Sequence, residues 1–289
     1  MTEENTSGKG PPPLPPRLPL PVAPMVVLEL SADELKALKR AKRLLENPGF
    51  TARLANRMGR PIEAAIGMLP GNASEVIRKA TRAALIQALD WAVVSLGRSR
   101  PRPASQMFHK ILVGASGGMG GAFGLAAIPV ELPLSTTLML RSIADIARSE
   151  GHHIRDLSIK LSCLEVFALG GNNEVDDATE SSYWAVRAAL AKAITEAVGF
   201  LAERGVVEHS APAVLKLIAA IATRFGVIVT EQVAAKAVPI IGAAGGSMIN
   251  VLFMNHFQDM ARGHFIVKRL ETRYGREYIR EIYMALPSG

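Results

Sequence analysis

The sequence predicts an all-α protein, a single multi-helix domain of about eight to ten helices. Apolar residues make up 49% of its 289 positions but aromatic residues only 5%, so alanine, leucine, isoleucine and valine supply the apolar mass. That composition favours close-packed helices over sheets, which use more β-branched and aromatic side chains. No segment shows the alternation of apolar and polar residues between turn signals that is typical of β-hairpins.

The first 24 residues are predicted to form a disordered tail ahead of a helical domain at 25–289. They are rich in proline, which fixes φ and removes backbone donors, so we expect an extended polyproline-like segment. Ser31, with Glu34 three residues later, forms a capping-box pattern that opens the first helix, and Pro48-Gly49 ends it. This helix carries five cations: Lys36, Lys39, Arg40, Lys42 and Arg43.

Start and stop signals predict the other helices. They lie at about 50–69, 74–96, 156–169, 181–204 and 212–239, and a last amphipathic helix ends near 286. A basic loop, GRSRPRP at 97–103, follows the third of the predicted helices. The basic face of the first helix and this loop are suited to anionic lipid, and the alternative is an ordinary solvated face.

Two uncharged, glycine-containing runs organise the rest of the chain. They lie within 111–140 and 237–255, and glycines three or four residues apart allow helix backbones to approach closely. We therefore expect the two runs to be helical and to pack together at the centre. Each leads into a similar tetrapeptide, DIAR at 145–148 and DMAR at 259–262.

Four strings of this sequence resemble the EcsC protein family. They are VELPLSTTLMLRSIADIARSEG, CLEVFALGG, TRFGVIVTEQVAAKAVPIIGAAGG and NVLFMNHFQDMARGHFIVKRLETRYG, and the likeness extends from about Val27 to Tyr283. The resemblance implies a helical, bacterial protein from a family named for a gene beside an ABC-transporter operon. It implies no particular enzymatic activity.

Glu131 is the charge that the sequence explains least, because it stands between two prolines in an otherwise uncharged run. A buried carboxylate must be paired, protonated, metal-bound or placed at a water-filled cleft. Arg141 and Arg148 are candidate partners, and Asp145 lies about one helical turn from each. We expect a buried salt-bridge network that joins Glu131 and Asp145 to Arg141 and Arg262.

The alternative is a hydrolytic or metal-dependent enzyme with its site near Glu131, His256 and Asp259. His256 and Asp259 are three residues apart, a spacing found in helical metal sites, and His264 and Glu165 would complete a ligand set. Because no H-E-x-x-H or E-x-x-H signature is present, we expect neither a metal nor a cofactor.

Three further residues or motifs complete the candidates. The stretch 114–118 reads G-x-S-x-G, the nucleophile elbow of α/β-hydrolases, but that motif requires a strand before it in a parallel sheet. Asn250, in an otherwise apolar helix, is predicted to be a buried hydrogen-bonding residue. Cys163 is predicted to be a small core residue.

The net charge and the cysteine content limit which partners and which cellular compartment we expect. The net charge of +7 is compatible with an anionic membrane surface, whereas the scattered cations and the lack of a nucleic-acid motif argue against nucleic acid. One cysteine excludes an internal disulfide, and no export signal precedes the tail, so we expect a cytoplasmic protein. The preferred function is non-enzymatic: a peripheral protein of the inner membrane, accessory to an ABC transporter or another membrane protein.

Overall fold

Helices account for nearly all of the residues that the structure describes, as the sequence predicts. The structure is a computed structural model, and it describes residues 29–46, 50–58, 62–95, 124–171, 182–205, 207–237 and 242–287. These residues contain ten α-helices and no strand. The all-α prediction is therefore confirmed. The tail at 1–24, the loop at 97–103 and the glycines at 114–121 lie outside the described residues, so the predictions made for them stay predictions.

The helices are numbered in chain order. They are α1 Ala32–Glu46, α2 Phe50–Met58, α3 Ile62–Gly67, α4 Ala73–Ser95, α5 Ile128–Ser149, α6 Leu157–Glu165, α7 Ser182–Arg204, α8 Pro212–Ala237, α9 Gly242–Tyr274 and α10 Arg276–Ala285. Short 3-10 turns, Gly124–Ala127 and Val166–Ala168, precede α5 and follow α6.

Local signals explain several of the helix ends. The capping box at α1 is formed: the Glu34 amide donates to Ser31 Oγ at 3.3 Å, and the Ser31 amide donates back to Glu34 Oε2 at 3.0 Å. The single helix predicted over 50–69 is wrong, because the structure has two helices there. Proline restricts the residue before it, and Pro61 stands directly before the second of them, α3.

Helix α9 is the centre of the bundle. It contacts α1, α2, α5, α8 and α10. Its middle is fully buried, with Phe253, Phe257 and Phe265 at 0% exposure. Its contact with α1 is close: a Cβ added at Gly263 would lie 2.5 Å from Leu45 Cγ, so only glycine fits there. The core is thus assembled around one long helix near the end of the chain.

Side-chain contacts fix the direction of the neighbouring helices. Asn250 and Gln258 of α9 bond Glu131 and Ser142 of α5, respectively, so α5 and α9 run parallel. Helix α8 runs antiparallel to α9. The described parts of the two glycine-containing runs, 124–140 and 242–255, therefore lie at the same end of the bundle, where α5 and α9 begin and α8 ends.

Candidate functional site

Glu131 is held by side chains from two other helices. Its Oε1 accepts hydrogen bonds from Lys236 Nζ of α8 at 2.5 Å and from Asn250 Nδ2 of α9 at 2.9 Å. Asn250 is fully buried, and its Oδ1 in turn accepts from Gln232 Nε2 at 2.8 Å. The side chains of Lys236 and Glu131 are 13% and 11% exposed. Burial lowers the pKa of Lys236, and the adjacent Glu131 carboxylate opposes that shift.

The arginines predicted as partners of Glu131 lie elsewhere. Arg141 is exposed, with its guanidinium 5.0 Å from the centre of the Trp91 ring. Ten residues along a helix correspond to about 15 Å, which is too far for the Glu131 carboxylate to reach Arg141. Asp145 pairs with Arg148 at 2.5 Å, one turn further along α5. Arg262 pairs with Asp259 of its own helix, and Glu131 pairs with Lys236 of α8. The predicted pairing of Glu131 with Arg141 is therefore not formed.

His256 and Asp259 face different surroundings. Asp259 is 24% exposed and binds Arg53 Nη1 at 2.9 Å and Arg262 Nη1 at 3.1 Å. His256 is fully buried against Phe50 and Phe257, and burial lowers its pKa to about 3. Neither of its ring nitrogens has a hydrogen bond of ordinary geometry to a described residue, although the nearby Leu169 backbone opposes part of the fall in the pKa.

Gly170 lies directly against the His256 ring. Its φ is +75°, and an added Cβ would stand 2.5 Å from His256 Cε1, so glycine is required there for two reasons. Within the described ranges no three histidine, cysteine, aspartate or glutamate side chains come close enough to share a metal ion. Among the described residues, no hydrogen bond or ion pair joins His256 to Asp259.

Glu165 and His264, the other proposed ligand pair, do meet. His264 Nε2 lies 3.5 Å from Glu165 Oε2, and His264 Nδ1 lies 3.2 Å from the Tyr183 hydroxyl; the histidine tautomer decides which group donates. All three side chains are buried. Burial raises the pKa of Glu165 and lowers that of His264, so both shifts favour the uncharged forms. Burial also raises the pKa of the nearby Cys163 thiol, which keeps it protonated.

An ion pair that the sequence analysis missed completes this cluster. Arg187 of α7 binds Glu271 of α9 through two hydrogen bonds of 2.6 and 2.9 Å and lies 5.0 Å from the Trp184 ring. Lys268 is also close, and burial lowers its pKa. These groups are far apart in sequence, so no local pattern marks them. Through these contacts the cluster joins α6, α7 and α9.

A groove between α4 and α8 was not predicted at all. Its cavity volume is about 590 Å³, and its walls carry alanine, threonine, isoleucine and valine side chains together with Arg78 and Arg82. Helix α8 is the source of its apolar character. In the part of the chain that the structure describes, one helix, Pro212–Lys236, is long and apolar enough to cross a membrane, with a mean hydropathy of 1.9. The core helix of a soluble protein meets the same criterion.

A protein-family model decides the relationship of this chain. The model of the EcsC protein family matches residues 32–270, which is most of the sequence and runs from the start of α1 into the last turns of α9. The chain belongs to the EcsC protein family. The resemblance found in the sequence is thereby confirmed. No curated protein matches this EcsC-family chain significantly, and no solved structure does either.

Proposed function

We propose that this EcsC-family protein is a non-enzymatic protein that associates peripherally with an anionic membrane surface. One observation carries the proposal: four cations of α1 are exposed along one side of the helix. They are Lys36, Lys39, Arg40 and Arg43. Their spacing of three, four and seven residues aligns them on one helical face, opposite the buried Leu38, Ala41 and Leu45. Lys42, the fifth cation, is turned inward.

The physical character of this face favours reversible binding. A lysine or arginine near an anionic leaflet contributes about 1 kcal/mol, and this contribution falls off within a Debye length. Because the apolar face of α1 is already packed on α9, the helix has little apolar surface left to insert among lipid tails. The attraction is therefore electrostatic and should be reversed by salt.

The proposed location is the cytoplasmic side of a bacterial inner membrane. An ABC transporter or another membrane protein is the proposed partner, in line with the gene neighbourhood for which the family is named. Glu131, Asp259 and His256 each contact different side chains, namely Lys236, Arg53 and Phe50, and this supports a non-enzymatic role over the hydrolytic or metal-dependent alternative.

Liposome flotation tests the membrane proposal. We expect the protein to float with vesicles that contain phosphatidylglycerol, to stay behind with pure phosphatidylcholine vesicles, and to be released by high salt. The variant Lys39→Gln/Arg40→Gln/Arg43→Gln should float poorly. A control with the same charge change, Arg155→Gln/Lys192→Gln/Arg204→Gln, alters three exposed cations on α7 or near α6 and should float like the parent protein.

Two outcomes would contradict the proposal. Equal flotation with both kinds of vesicle would show that charge is not the basis of binding. An equal loss in the α1 variant and in its control would show that overall charge, rather than the α1 face, is responsible.

A further inference from the structure

The groove between α4 and α8 has the size and lining of a ligand site. Its volume of about 590 Å³ falls in the range of about 300–1,000 Å³ that is usual for small-molecule pockets. The α8 wall consists largely of small residues, among them Ala219, Ala222 and Gly226. Val227, on the same wall, is 36% exposed, so apolar surface remains uncovered there.

Gly226 keeps the groove open. Glycine in a helix interior is less favourable than alanine, and here it serves no close packing, because an added Cβ would meet no atom within 4 Å. Its φ does not lie in the left-handed region either. The absence of a side chain at this position therefore leaves space in the groove without being required by the fold.

The charge of the groove is of one sign. Among the described lining residues are two arginines and no acid. Arg78 is occupied by Glu75, which accepts hydrogen bonds from it at 2.7 to 3.0 Å. Arg82 is exposed, and no described residue forms an ion pair with it. An apolar groove with an exposed cation at its rim matches a ligand that has an apolar chain and one negative head group.

We propose that this groove binds a single-chain anionic amphiphile of the fatty-acid class, taken up as a monomer. The acyl chain lies along the small residues of α8, and Arg82 pairs with the carboxylate. Thr81 and Ile77 line the groove on the α4 side. This binding goes beyond the membrane association proposed above and does not depend on it, because it needs neither a vesicle nor the α1 face.

Calorimetric titration of the full chain with laurate, myristate and palmitate, each below its aggregation concentration, tests this site. Affinity should rise with chain length, by up to about fourfold for each buried methylene group. Gly226→Leu fills the groove and should lower the affinity by at least about tenfold, since the chain loses several buried methylene groups. Gly199→Leu is the matched control: Gly199 lies on α7, and its added Cβ would also meet no atom within 4 Å, so binding should be unchanged.

The role of the head group is tested separately. Arg82→Gln should weaken laurate by up to about fivefold, as expected for an exposed ion pair, and should leave the uncharged monolaurin unaffected. Thermal melting of each variant shows whether it is folded. The proposal is overturned if the parent protein binds none of the three fatty acids, or if folded Gly226→Leu binds them as the parent does. Loss of flotation with intact fatty-acid binding would instead contradict the membrane proposal alone.

Discussion

Glu131 shows how an isolated acid can be stabilised inside an apolar bundle. Its carboxylate has a cation and an amide as donors, and each donor comes from a different helix. The cation, Lys236, is itself largely buried, so either charge alone would be left with little solvation. The pair therefore joins α5 to α8 and determines how the ends of these two helices meet.

Removing one member of this pair should be costly. We expect Glu131→Ala to lower the free energy of unfolding by about 3 kcal/mol, because Lys236 would remain buried without its counterion. Adding Lys236→Met should restore much of the loss, since the charge is then removed as well. Urea denaturation of the two variants measures both effects, and an unchanged midpoint for Glu131→Ala would refute this account of the pair.

At the residue scale the sequence indicates which charged residue is unusual, but it does not indicate which residue pairs with it. Glu131 stands out because its neighbours are apolar. Lys236 is 105 positions away and belongs to an ordinary helix end, so its pairing depends on how α5 and α8 are placed. Arg187 and Glu271 are separated by 84 positions and pair for the same reason. Long-range partners follow from packing, which no local spacing encodes.

Lys42 shows how an element can be held by a single side chain. It lies on α1, and its Nζ donates to the backbone oxygens of Tyr283 at 3.0 Å and Leu286 at 2.7 Å. These oxygens are at the end of α10, where the last carbonyls of a helix have no partner within the helix. A buried lysine on the first helix thus caps the last one.

Lys42→Met should loosen α10 while keeping the packing of the side-chain stem. Loss of hydrogen bonds from a charged donor should cost about 2 kcal/mol. Hydrogen exchange of the α10 amides should become faster than that of α9. Lys39→Met, an exposed change three residues earlier on α1, serves as the control, and faster exchange in both variants would argue against a specific role for Lys42.

At the element scale, composition and end signals predicted most helices. The ends of α1, α7 and α8 are within about one or two residues of their signals. The division into α2 and α3 was missed because apolar residues continue through both. The 3-10 turn after α6 was also missed, since Val166–Ala168 continues the apolar character of the helix. Pro61 does mark the first of these divisions in the sequence, whereas the second depends on packing.

The buried histidines make the stability of the whole molecule sensitive to acid. Burial lowers the pKa of His256 to about 3 and that of His264 well below its ordinary value. An unfolded histidine takes up a proton at about pH 6.5, so acid below that pH favours the unfolded chain until the folded pKa is reached. Glu165 has the opposite effect, because burial raises its pKa in the folded protein. The protonated carboxyl stabilises the folded state at low pH, and this stabilisation is lost as the pH rises towards the raised pKa.

His256→Leu should therefore flatten the loss of stability between about pH 6.5 and the folded pKa of about 3. Leucine has a similar volume and needs no hydrogen-bond partner, so the variant should be at least as stable in acid as the parent. Chemical denaturation at a series of pH values gives the slope. His153→Leu, a change at an exposed histidine, is the comparison variant, and a slope in His256→Leu equal to that of the parent would contradict the assignment.

At the scale of the whole molecule, the fold class was predictable and the groove was not. The scarcity of aromatic residues and the lack of segments that alternate apolar and polar residues were sufficient to predict an all-α bundle. The groove depends on where small residues such as Ala222 and Gly226 of α8 come to lie relative to α4. The apolar character of α8 was visible in the sequence, but the partly exposed side of the helix was not.

The position of α9 has a consequence for how the chain is made. This helix of 33 residues forms the centre of the bundle but begins only at Gly242, so α1, α2 and α5 leave the ribosome long before their partner does. Until then the residues of α1, α2 and α5 that pack on α9 stay uncovered, even though α5 can already pack on α4. Such surfaces aggregate or recruit chaperones. Synthesis of this protein should therefore end with a late, concerted docking of the early helices, rather than with gradual growth of the core from the N-terminus.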